Sequence, residues 1–159
     1  MSYEAALRQL QAKRIPFILT GAVAMGVYGV QRSTADIDLC ITIDEGESAR
    51  AAMREAGFTP RRTRPAEMTA DAGLVHHLVG PGGSVFQIDL IEFETAKFRR
   101  LRKRARHVEW PGVGRVLVIG LEDLIAHKAI RGSAVDREDI RILADVMKYP
   151  KRSRGDHGP

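Results

Sequence analysis

The hydrophobic positions of this chain alternate between helical and strand periods. From Ser2 to Lys13, Ala5, Ala6, Leu7 and Leu10 lie close to helical spacing, and Pro16 closes that segment ahead of the strand "FILT". Gly21 ends the strand, and "AVAMGVYG" has the small residues of a tightly packed helix. The next segment alternates: Ile37, Leu39, Ile41 and Ile43 point one way, and Asp36, Asp38, Cys40 and Thr42 the other. "DEGESARAAMREAGF" reads as a helix with acids near its start and Gly57 as its stop. Residues Thr59 to Asp71, rich in Arg, Pro and Thr, read as a loop. "GLVHHLVG" and "SVFQIDLIEF", separated by Pro81-Gly82-Gly83, predict an antiparallel hairpin. Beyond it, Phe98, Leu101, Ala105 and Val108 recur at helical spacing, which puts the intervening arginines on the exposed side of a helix or at its frayed end. "GRVLVIG" predicts a strand, and "LEDLIAHKAIRG" and "DREDIRILADVMK" two helices joined at Gly132 and Ser133.

Composition narrows the class without naming a function. At 159 residues, with 44% hydrophobic and 28% charged, the chain fits one ordinary globular domain, expected over residues 1–150, with a disordered polar tail at 151–159. The apolar runs are too short to span a bilayer, no signal peptide is evident, and the single cysteine, Cys40, excludes an internal disulfide. A cytoplasmic protein is expected. The net charge of +5 comes mainly from arginines, in Arg61-Arg62-Thr63-Arg64, in "RRLRKRARH" and in "KRSRGDHGP". Such runs suit polyanionic partners, nucleotides and RNA among them, and equally suit a solvated surface.

The aspartates change the picture. Asp36 and Asp38, spaced i, i+2, share one strand face, an arrangement that suits joint coordination of a hard divalent cation. Asp89 alternates with Gln87 and Ile91 and becomes a third ligand if its strand pairs with theirs. Three carboxylates in one place repel unless a cation neutralises them. The Gly21 turn adds a close backbone approach and a helix N-terminus, though "GAVAMG" matches neither familiar phosphate loop. The adjacent His76 and His77 point to opposite faces of a strand, so a structural or surface role is expected of them rather than a joint metal site.

Together these residues resemble the nucleotidyltransferase superfamily with the polymerase-beta-like fold. The resemblance rests on Gly21 leading a helix, on Arg32-Ser33-Thr34 before Asp36-Ile37-Asp38, and on Asp89 in "FQIDLIEF". "LEDLIAHKAIRG" and "DREDI" look like the Lys-bearing and Asp-bearing helices of the branch that includes AbiEii-type toxins. It implies an α/β (α+β) fold, a mixed sheet flanked by helices with further C-terminal helices. It also implies transfer of a nucleoside monophosphate from an NTP to a hydroxyl, with two magnesium ions. Asp36, Asp38 and Asp89 would be the catalytic and metal-binding acids. Gly21, Ala22, Arg32, Thr34 and Lys128 would form the nucleotide-binding set, with Arg131 and Asp136 matching more loosely.

Family members usually carry Gly-Ser or Gly-Gly where this chain has Gly21-Ala22. The alanine forgoes a hydroxyl, on the order of 1 kcal/mol of nucleotide binding. The acceptor implied is RNA such as tRNA, a protein or a small molecule, and the branch implies a cognate toxin or antitoxin partner. Two further readings stand beside the enzyme: a catalytically inactive binding module of the same fold, and a plain soluble domain with coincidental aspartates.

Overall fold

The computed structural model describes residues 3–69 and 73–149. The expected polar tail, and the end of the predicted loop at residues 70 and 71, lie outside the described residues. In chain order the elements are α1 (Tyr3–Ala12), β1 (Ile18–Thr20), α2 (Gly21–Val27), β2 (Asp36–Thr42), α3 (Gly46–Glu55), β3 (Thr59–Pro60), β4 (Glu67–Met68), β5 (Leu74–Val79), β6 (Gln87–Phe93), α4 (Thr95–Arg104), β7 (Arg106–Trp110), β8 (Gly114–Val118), α5 (Leu121–Arg131) and α6 (Ala134–Lys148).

All the strands join one mixed sheet in the order β3-β5-β6-β2-β1-β8-β7, with β4 also paired to β5. The two strands that carry the aspartates run parallel and side by side, Asp36 opposite Gln87 and Asp38 opposite Asp89. Parallel neighbours in direct register share a face. Ile37, Leu39 and Ile41 of β2, with Ile88 and Leu90 of β6, therefore form the other face and are almost wholly buried. They belong to one core with Leu7 and Leu10 of α1, Ala49, Ala52 and Met53 of α3, and Phe98 and Leu101 of α4.

The aspartate face is not uniformly open. Toward the far end of the strands Cys40, Thr42 and Phe93 are buried, and His127 of α5 stacks on Phe93 with ring centroids 5.4 Å apart. At the end that begins with Asp36 and Gln87 both residues are partly exposed.

Three expectations need correction. Ile43 does not continue β2: the Thr42 hydroxyl accepts from the Glu45 N–H at 3.2 Å, capping a short 3-10 turn over Ile43–Glu45, and Ile43 is 47% exposed. The predicted loop after Thr59 contains two short edge strands, β3 and β4, both antiparallel to β5. The helix predicted through Val108 stops at Arg104, because Arg106–Trp110 pairs antiparallel with β8 from Arg106↔Val118 to Trp110↔Gly114. Here hairpin ladder pairing overrides a helical spacing. The basic run is split accordingly, with Arg99, Arg100, Arg102, Lys103 and Arg104 exposed on the helix and Arg106 and His107 exposed on the strand.

The other elements match their predictions, including the closing of α3 at Gly57, whose φ is +87°. Among the described residues no helix is long and apolar enough to cross a membrane.

Candidate active site

The sheet register builds the site. Thr20 of β1 lies opposite Asp38, Asp38 opposite Asp89, and Asp89 opposite His77 of β5. Four neighbouring strands thus each contribute one polar residue at the same level. Above this row is a cavity of about 180 Å³, lined also by Gly21, Glu67, Lys128 and Arg131.

Gly21 is dictated by the site. Its φ of +68° is in the left-handed region, and a β-carbon there would stand 1.8 Å from Oδ2 of Asp38. Only glycine provides both the conformation and the space. α2 follows at once but is only seven residues long.

Burial pushes the Asp38 carboxyl up to about 6, and the neighbouring Asp89 and Asp36 carboxylates add to the rise while Arg131 and Lys128 oppose it. Two acids at matched positions on adjacent strands, with Asp36 two residues along the same face, are a donor set of hard oxygen ligands that fits a divalent cation. Among the described residues no group of three or more potential ligands is already gathered to metal-holding geometry. The fit therefore rests on the donor chemistry and on the electrostatic strain at Asp38.

The positive side of the site comes from α5 and is braced by α6. Lys128 is buried, 4% exposed, and its Nζ donates to Oδ2 of Asp139 at 2.8 Å, with Asp136 Oδ1 at 3.7 Å. Arg32, in the segment between α2 and β2, forms an ion pair with the same Asp139. Arg131 donates to Asp136 through Nε at 3.1 Å and Nη2 at 2.5 Å. Burial raises the Asp136 carboxyl, but the Arg131 and Ser133 contacts outweigh it and hold the group far below the usual carboxylate range. Ser133 and Asp136 also form a reciprocal capping box at the start of α6. Thr34 serves β2 locally, its hydroxyl accepting from the Asp36 N–H at 3.1 Å.

Two contributors escape the sequence reading. Asp139 braces both Lys128 and Arg32, yet in sequence it is one acid among several on a helix. His77, expected to be structural or superficial, is buried and lies with Nδ1 2.8 Å from Oδ1 of Asp89 and Nε2 2.9 Å from Oε1 of Glu67. Its strand alternation with His76, which turns to Glu92 on the opposite face at 3.2 Å, was the available signal.

Neither a protein-family model nor any curated protein sequence matches this chain. Solved structures do. The arrangement of sheet and helices is that of the nucleotidyltransferase fold. The lincosamide antibiotic adenylyltransferase LnuA, solved with lincomycin, aligns with a TM-score of 0.63 at 11% identity, over 92% of this chain and 98% of its own. The enzyme ANT(2")-Ia, in complex with adenylyl-2"-tobramycin, gives 0.60 at 13% identity over 94% and 89%. A candidate nucleotidyltransferase of Thermotoga maritima gives 0.59 at 15% identity, over 88% of each chain. At these identities the likeness defines the fold.

Proposed function

We propose that this protein is a metal-dependent nucleotidyltransferase whose single catalytic domain spans residues 1–150. The observation that carries the reading is the direct register of Asp38 and Asp89 on parallel strands beside Gly21. Asp36, Asp38 and Asp89 would hold two magnesium ions, which when bound supply charge stabilisation to the attacking and leaving oxygens. Asp89 would take the proton from an acceptor hydroxyl as its oxygen bonds to the α-phosphorus of the NTP. The bond from that phosphorus to the bridging oxygen breaks, and pyrophosphate leaves. The backbone at Gly21 and Ala22 would approach the phosphates, with Arg32, Thr34 and Lys128 completing the nucleotide-binding set. The acceptor is a hydroxyl of RNA such as tRNA, of a protein, or of a small molecule. The small-molecule case gains support from the two antibiotic adenylyltransferases among the structural neighbours. A cytoplasmic setting, the AbiEii-type branch and a cognate toxin or antitoxin belong to the same reading.

One observation favours the inactive binding module: Lys128 and Arg32 are already paired with Asp139, so charge meant for phosphate is partly neutralised. Titration calorimetry with each of the four NTPs, with and without magnesium, separates the readings. The enzyme reading expects magnesium-dependent binding that Asp36→Ala or Asp38→Ala removes in a folded protein. Absence of binding to the wild type, or unchanged binding in both variants, overturns the site assignment.

A further inference from the structure

We propose that His77 is the positioning residue for Asp89, fixing the orientation of that carboxylate through its Nδ1 hydrogen bond. The inference rests on the reading of Asp89 as a metal-holding acid and deepens it. His77 and Asp89 are directly opposed on antiparallel strands, and the imidazole is 3% exposed against 14% for the aspartate side chain. An ionised carboxylate only accepts, so Nδ1 is the donor to Oδ1 of Asp89 across 2.8 Å.

The ring is itself held. Its Nε2 lies 2.9 Å from Oε1 of Glu67 on the edge strand β4, and Arg64 donates to that same oxygen at 3.0 Å. A buried ring tethered at both nitrogens cannot swing. The aspartate it contacts thereby loses rotational freedom that an isolated strand carboxylate would keep. Neither Asp38 nor Asp36 has a comparable side-chain partner in the described contacts: Asp38 rests on Gly21, where any β-carbon would collide with it. Asp89 is therefore the acid whose placement depends on another side chain, and that partner stands beside it on the neighbouring strand, in the lining of the same cavity. Groups that hydrogen-bond metal-binding carboxylates in this way typically govern affinity about 10- to 100-fold.

Manganese(II), a spectroscopically visible divalent probe, tests the proposal by electron paramagnetic resonance titration of the full chain and its variants. Asparagine and glutamine separate the two ring nitrogens: the Asn amide NH₂ falls near Nδ1 and the Gln amide near Nε2. His77→Asn is expected to keep manganese affinity within about threefold of wild type, whereas His77→Ala and His77→Gln lose about tenfold or more. Circular dichroism melting of each variant checks that it is folded, and the Asn and Gln pair keeps the comparison valid if the alanine variant does not fold. Equal or tighter manganese binding in folded His77→Gln overturns the positioning role while leaving the metal site intact. Absence of manganese binding by the wild type overturns the metal-site reading itself, and the positioning role with it.

Discussion

Gly21 and Asp38 occupy one another's space: the aspartate carboxylate lies where the β-carbon of any other residue at position 21 would be, 1.8 Å from Oδ2. The turn after β1 and the acid on β2 are thus a single structural unit, held by the antiparallel pairing of Thr20 with Asp38. Gly21→Ala is expected to destabilise the protein by at least about 1 to 3 kcal/mol, from the left-handed φ alone, and to displace Asp38. Thermal unfolding and NTP calorimetry on the variant measure both effects. A variant as stable as wild type, with nucleotide binding unchanged, contradicts this account of the turn.

The raised Asp38 carboxyl makes stability depend on pH in a defined direction. Burial first, then the Asp89 charge, lifts it to about 6 from 3.8. The folded state therefore binds the proton more tightly than the unfolded state. The associated stability is fully present below the unfolded value and is lost as pH rises through about 6, by at most about 3 kcal/mol. Denaturant unfolding in the presence of a chelator, from pH 4 to 7.5, should show wild type losing this increment relative to Asp38→Asn. Divalent-cation affinity should rise over the same window, because the cation requires the ionised acid. Parallel pH profiles for the two proteins would contradict the assignment.

Asp139 is the keystone beneath the positive side of the site. It is 3% exposed and accepts from Lys128, itself 4% exposed. Asp139→Ala should cost at most about 3 to 5 kcal/mol, because it removes the hydrogen-bonded partner of a buried ammonium and leaves it only Asp136 Oδ1, at 3.7 Å. Lys128→Met combined with Asp139→Leu should recover most of that loss, since a buried ion pair is often replaced by apolar side chains with little net cost. Urea unfolding of the single and double variants measures this. A double variant as unstable as Asp139→Ala would mean that the aspartate acts mainly through Arg32.

Asp89→Asn separates binding from transfer. The amide retains an oxygen for His77 to donate to but removes the negative charge and the proton-accepting capacity. NTP binding is expected to persist while label transfer to an acceptor is lost. Full turnover would refute the role assigned to Asp89.

The site was legible in sequence as far as local spacing carries. The i, i+2 pair at Asp36 and Asp38 needs only strand periodicity to share a face, and the glycine-led turn needs only its position after a strand. His77 was not legible in the same way. Its relation to Asp89 depends on the hairpin register, and one residue of slip would have turned His76 to that face instead. Asp139 was obscured because Asp136, Glu138 and Asp139 lie close together on one helix, and nothing local distinguishes the acid that ends up beneath Lys128.

The sequence by itself determined most of the helices and strands and the shared face of the two aspartates, because these follow from backbone periodicity and local sterics. It misjudged Ala105 to Val108, where helical spacing gave way to the β7–β8 ladder, and the loop that carries β3 and β4. Tertiary structure alone decided that Asp89 stands opposite Asp38, that His77 stands beside Asp89, and that Lys128 and Arg32 share Asp139. These relationships join residues far apart in the chain through sheet register and helix packing, whose energies depend on the whole fold and leave no local signature.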